Sequence, residues 1–103
     1  MLNSWHIALR AEDPTANCYR AYDIHIDRDL FALWNITVSW GRIGAAGTRK
    51  TMTVASLDEA WCILKPMLRR RLTAGRRIGC GYRLVSCHLP DGCDLGDVVR
   101  KFT

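Results

Sequence analysis

Trp34-Asn35-Ile36-Thr37-Val38-Ser39-Trp40-Gly41-Arg42 decides the fold of this chain. Trp34, Ile36, Val38 and Trp40 alternate with Asn35, Thr37 and Ser39. A period of two is the mark of a strand with one buried face. β-Branched and aromatic side chains fill the stretch, and such residues pack well on a pleated surface.

Working outward, the same alternation recurs. Trp5, Ile7 and Leu9 alternate with His6, Ala8 and Arg10; Arg20, Tyr22, Ile24 and Ile26 alternate with Tyr19, Ala21, Asp23 and His25. The turn formers of 12–17 separate these two strands, and Asp27-Arg28-Asp29 reads as a polar turn before the third. On the other side, Gly44-Ala45-Ala46-Gly47 is a turn, and Arg49 to Ala55 reads as a fourth strand. Ser56 with Glu59 three residues on is a capping box. Leu57, Ala60, Trp61, Leu64, Met67, Leu68 and Leu72 then follow helical spacing. Pro66 predicts a kink or a break in that helix, and Gly75 marks its end. Tyr82 to Cys87 reads as a last strand; residues 88–103 give no assignable pattern.

Strands joined by short turns run antiparallel. The expected fold class is therefore α+β: an antiparallel sheet of four to five strands with one main helix packed on one face. The helix-free face must be polar or be used for binding. The expected organisation is a single domain over 1–87, with 88–103 as a tail. A chain of 103 residues leaves room for little more.

Charge is unevenly spread. Residues 1–41 hold three Arg against five acids, 42–83 hold ten Lys and Arg against Asp58 and Glu59, and 84–103 hold two basic against three acidic groups, which sums to the formal +5. The middle block, with Arg69, Arg70, Arg71, Arg76 and Arg77 clustered in it, points to a polyanionic partner. Part of it also serves as the solvated face and basic C-terminus of the helix.

Several chemistries lack their signatures. Cys80, Cys87, His88 and Cys93 contain no C-x2–4-C pair, so no zinc site is expected. Gly41, Gly44 and Gly47 lack the Lys-Ser/Thr of a phosphate loop, and no Cys or His sits in a nucleophile signature. Asp23, Asp27 and Asp29 suit a solubilising hairpin better than a metal cluster. No cofactor, metal or small-molecule substrate is expected, and no enzymatic activity. The first twenty residues offer no apolar leader and no stretch is long enough to span a membrane, so a cytoplasmic location is expected. With no secretory signal, the five cysteines are expected reduced.

Asp29-Leu30-Phe31, Trp34, Val38-Ser39-Trp40-Gly41-Arg42-Ile43-Gly44, Gly47-Thr48-Arg49, Leu57-Asp58-Glu59-Ala60, the Arg69–Arg71 helix end and Gly81-Tyr82-Arg83 occur in the order of a known module. The chain resembles the WGR domain family over roughly 3–86, and is most similar to its short bacterial members. In the poly(ADP-ribose) polymerases this domain binds DNA ends and relays the signal to a catalytic domain; the present chain has no room for such a domain, so only binding carries over. The resemblance implies that Trp40 packs on a sugar or base near a strand end and that Arg42 contacts phosphate or a partner. Gly41 between them admits a close backbone approach. Arg49 and Arg77, chosen for charge and position, and Tyr82, from the Gly-Tyr-Arg match, complete the candidate set. The partner expected is nucleic acid, DNA ahead of RNA, bound through ends or backbone. The alternative is a protein partner docking on the same Trp40–Arg42 edge. Alternation puts Trp40 on the face of Ile36 and Val38, which a core residue would satisfy; its place at the strand end favours an exposed edge.

Overall fold

The computed structural model describes residues 4–73, 81–90, 92–93 and 95–102. Strands β1 (Ser4–Asp13), β2 (Cys18–Arg28), β3 (Trp34–Arg42) and β4 (Thr48–Val54) are followed by helix α1 (Leu57–Leu72), strand β5 (Arg83–His88) and a short helix α2 (Gly96–Arg100). The five strands form one antiparallel sheet in the order β4-β3-β2-β1-β5. The expected fold class holds, and β5 supplies the fifth strand beside β1.

One side of the sheet is apolar because the alternation is in register across it. Ile7 pairs with Ile24 and Ile24 with Val38; Leu9 pairs with Tyr22; Ile26 pairs with Ile36. All are buried, together with Ala60, Trp61, Leu64 and Leu68 of α1. Leu95, Val98, Val99 and Phe102 close the same core, and the Phe102 carbonyl accepts from the Leu84 amide at 3.1 Å. The segment after β5 therefore packs as a short amphipathic turn of helix. Its five helical residues are too few for periodicity to stand out in sequence.

Ser56 caps α1: its hydroxyl accepts from the Glu59 amide at 3.2 Å, and the Glu59 carboxylate accepts from the Ala55 amide at 3.2 Å. The first bond satisfies one of the amides orphaned at this end, and the second ties the residue before the cap to the first turn. The expected break at Pro66 does not occur, since α1 runs through it to Leu72. The missing N–H of Pro66 deprives the carbonyl of Cys62, four residues back, and both residues are exposed, so water can serve that carbonyl. Gly75, the expected stop, lies outside the described residues; the helix ends with Thr73 as its cap, whose hydroxyl donates to the Arg70 carbonyl at 3.0 Å.

Two further expectations change. The polar turn expected at 27–29 is displaced: β2 continues to Arg28 and the turn falls at 29–33. Cys18 is engaged in a disulfide, against the expectation of reduced thiols, while Cys62 and Cys87 are exposed free thiols. Sequence spacing cannot reveal which cysteines the fold brings within bonding distance. Among the described residues no helix is long and apolar enough to cross a membrane.

Candidate nucleic-acid interface

The Trp40-Gly41-Arg42 tripeptide sits where β3 ends and the hairpin to β4 begins. Its conformation depends on two glycines. Gly41 has φ +148°, and a Cβ there would lie 2.8 Å from the Gly47 Cα. Gly47 has φ +68°, and its Cβ would lie 2.5 Å from the Trp40 carbonyl oxygen. Neither position admits a side chain. The backbone approach anticipated at Gly41 is therefore internal. Gly47 of the same chain closes over it and locks the hairpin, and the tripeptide is fixed in place before any ligand arrives.

Trp40 lies opposite Tyr22 on β2 and Thr48 on β4. It is half-buried and packs against the core without being part of its buried set. Both readings from sequence thus hold in part: one side of the ring belongs to the core, and the remainder is open at the sheet margin. Arg42 is exposed and lies opposite Arg20. Its guanidinium sits 5.2 Å from the centre of the Tyr19 ring and donates to the Asn17 side-chain oxygen at 3.4 Å. Asn17 is held for this contact by its left-handed backbone (φ 50°) and by its amide bond to the Pro14 carbonyl. Asp13 braces that turn, accepting from the Thr15 hydroxyl at 2.6 Å and the Thr15 amide at 3.0 Å; the hydroxyl bond is the main cause that holds its carboxyl below the usual range.

Two concavities flank the tripeptide. One, of about 80 Å³, is walled by small residues including Ala21, Ser39 and Ala46, with the Asp23 carboxylate beside them. It is too small for a base, and its carboxylate, paired to Arg10 at 2.8 Å, repels phosphate. The other, of about 420 Å³, is lined by Asn17, Tyr19, Arg20 and Arg42. Two guanidinium groups, an amide and a phenol in one open hollow suit a sugar-phosphate.

The helix brings a further cation to this end. The Arg71 guanidinium lies 4.3 Å from the centre of the Tyr22 ring, and Tyr22 in turn meets Tyr82 edge-on at 6.2 Å. Tyr22 is fully buried; burial pushes its phenol up, with the Arg71 charge opposing. Arg71 was hidden in a run of three arginines, yet a signal existed. It stands three residues after Leu68 and seven after Leu64, in line with the buried stripe, whereas Arg69 and Arg70 are exposed.

The sequence-derived set is thus only partly assembled. Trp40 and Arg20 lie on the helix side at this end of the sheet, whereas Arg42 reaches round the strand end to Tyr19, whose place opposite Glu12 puts it on the helix-free face; Arg20 and Tyr19 are residues that sequence reasoning passed over. Tyr82 stands behind them, half-buried against Tyr22 and the Ala11–Cys18 pair. Arg49 lies opposite Ser39, on the helix-free face, and does not join them. Arg77 lies outside the described residues. The helix-free face is polar, and all three histidines fall in one row across it: His88 opposite His6, and His6 opposite His25.

The WGR domain family model matches residues 5–75, which spans β1 to the end of α1. No curated protein and no solved structure matches the chain. The match covers the greater part of the sequence, including the tripeptide and the glycine-closed hairpin behind it, and the chain belongs to the WGR domain family.

Proposed function

We propose that this chain is a non-enzymatic module that binds nucleic acid, DNA ahead of RNA, through ends or backbone and not through base sequence. WGR domains are nucleic-acid-binding modules, and the sheet end at Arg20, Tyr19 and Arg42 has the chemistry for that role. The observation that carries the reading is the open hollow in which Arg42, stacked on Tyr19, stands beside Arg20 and Asn17. Phosphate enters between two guanidinium groups, and the open part of the Trp40 ring takes a sugar or base alongside. Gly41 serves by closing the hairpin, and Tyr82 by supporting Tyr22. Arg49, on the other face, and Arg77 contribute long-range attraction that does not discriminate sequence.

The test is a titration of the chain against blunt, nicked, single-stranded and 5′-phosphorylated duplexes at two salt concentrations. Binding should weaken steeply with salt. Trp40→Ala should lose ~1–3 kcal/mol with the salt slope unchanged, and Arg42→Ala should lower that slope by about one. A protein docking on the same edge would instead show a shallow salt dependence. Absence of binding to every one of these probes at the lower salt sinks the proposal.

A further inference from the structure

The far end of β3 carries a feature that nucleic-acid binding does not use. In the turn from β2 to β3, Leu30 is 100% exposed and Phe31 83% exposed, the two most exposed large apolar side chains among the described residues. They form an apolar knob on a turn that is held firmly. The Asp29 carboxylate accepts from the amides of Phe31 (2.9 Å) and Leu33 (3.0 Å) and from the Asn35 side chain (3.1 Å). Side chains presented on so braced a turn lose little conformational freedom on docking. The flank of the knob is acidic. Asp27 and Asp29 stand at the turn, and Asp58 and Glu59 open α1 where β4 ends beside Trp34. Against these four carboxylates stands Arg28, whose guanidinium lies over Trp34 at 5.9 Å.

The same chain carries the complement. An open hollow of about 740 Å³ lies between β5, α1 and α2. Leu84, Leu89 and Val99 supply its apolar wall, and Lys65 and Arg100 its basic rim. Arg69, one turn along α1 from Lys65, and Lys101, next to Arg100, are exposed and extend that rim. Asp97 also lines the hollow, and its carboxylate accepts from the Arg100 guanidinium. Among the described residues the rim is therefore net positive. Sites of ~300–1,000 Å³ enclose a small ligand, so two apolar side chains have room within it.

Knob and hollow also stand at the same end of the sheet. Asp27 lies opposite Ser4 and His88 opposite His6, so the β2–β3 turn and the end of β5, with Leu89 just beyond it, both flank the start of β1. The strand order puts β5 two places from β2 and three from β3, roughly 10–15 Å at the spacing of neighbouring strands. A copy turned about a two-fold axis can thus seat its knob in the hollow of the first while receiving the first copy's knob in its own. Such a contact is self-complementary and closes at two copies. Acidic flank meets basic rim in both halves, which steers the encounter and fixes its register.

We propose that the chain forms a two-fold homodimer in which Leu30 and Phe31 of each copy seat in the hollow of the other, the acidic flank of the knob lying against the Lys65–Arg100 rim. Trp34 and Trp40 are six residues apart on one strand, roughly 20 Å at a strand's rise per residue. The sheet end at Arg20 and Arg42 therefore stays open in the dimer, and neither proposal depends on the other.

The test is sedimentation equilibrium of the purified full chain, without nucleic acid, over a concentration series from low to high micromolar. The wild type should pass from one copy to two, and added salt should weaken the dimer several-fold. The knob variant, Leu30→Ser with Phe31→Ser, and the rim variant, Lys65→Glu with Leu89→Ser, should each raise the dissociation constant at least tenfold while melting as folded domains. Should the rim variant melt early, Lys65→Glu alone carries the same comparison. Mixed one to one, the knob and rim variants should associate more tightly than either does alone. Each mixed pair keeps one intact knob in one intact hollow, and a contact already lost is not lost twice. A single copy at every concentration would leave the knob to a different protein and overturn the proposal. A dimer unaltered by either variant, or a mixture no tighter than the variants alone, would overturn it equally.

Discussion

Trp34 and Trp40 stand on the same strand and the same face, both half-buried, both packed against the one core. Each end of the strand also has an arginine over an aromatic ring: Arg28 on Trp34 itself, and Arg42 on Tyr19 of the neighbouring strand. Side-chain type alone does not distinguish the two ends. What separates them is the chain on either side. Around Trp40 the hairpin is closed by two glycines and the neighbours are Arg20, Arg42 and Arg71. Around Trp34 the turn is tied by a carboxylate and the neighbours are Asp27, Asp29, Asp58 and Glu59. Near-equivalent tryptophans thus sit in surroundings of opposite charge, and such a field governs which charged ligand approaches.

The sharpest way to break this comparison is at Gly47. Gly47→Ala places a methyl group against the Trp40 carbonyl at a left-handed φ and should destabilise the domain by ~3–5 kcal/mol. Thermal melting should show a drop of well over 10 °C. Gly44→Ala, with nothing within 4 Å of its Cβ at φ +86°, should suffer only the backbone term, about 1–2 kcal/mol. Equal losses at the two positions would mean that the hairpin is not locked as described.

Next in size is the disulfide at Cys18, which anchors the start of β2 beneath Tyr19 and Arg42. Reduction should lower stability by ~2–4 kcal/mol. Amide exchange should accelerate first around 17–20 and 41–43, with the 29–33 turn unaffected. Loosening that begins at the Asp29 turn would show the two ends to be coupled.

The two tryptophans themselves give the third comparison. Each Trp→Ala change should destabilise by roughly half the 3–5 kcal/mol of a fully buried ring, because each is half-buried. Only Trp40→Ala should also weaken nucleic-acid binding; Trp34→Ala should leave the titration of the folded fraction unchanged.

The smallest effect is a pH dependence at the acidic end. The backbone bond from Leu33, with those from the Phe31 amide and the Asn35 side chain, holds the Asp29 carboxyl below the usual carboxylate range. A lowered folded value means that the stabilisation is fully present above the unfolded value and is lost as pH falls through the folded one. Amide exchange at Phe31 and Leu33 should therefore rise only below about pH 4, and Asp29→Asn should abolish that step. A step that persists in Asp29→Asn would assign it to another group.

Much of this was legible in the sequence because its signals are local. Trp34 to Trp40 alternates without a fault, and so do the strands paired to it; register then follows from keeping one face buried. Ser56 and Glu59 cap α1 within a few residues of each other, and the Trp40-Gly41-Arg42 tripeptide with its flanking matches identified the family. The turn expected at Asp27-Arg28-Asp29 falls instead at 29–33, because polarity alone does not end a strand: β2 stays paired to Arg28, and the bonds gathered by Asp29 set the turn.

Sequence by itself therefore determined the strands, the main helix, the sheet's apolar face and the family, since each rests on periodicity or on contacts a few residues apart. Tertiary structure decided the rest. It put Arg49 on the opposite face from Trp40 and Arg20 beside Arg42, drew Arg71 onto Tyr22 and Phe102 under Leu84, and joined Cys18 in a disulfide. Those placements come from strand pairing and from packing between residues distant along the chain. Their geometry is fixed only when the sheet and helix close on one core, and no local pattern encodes it.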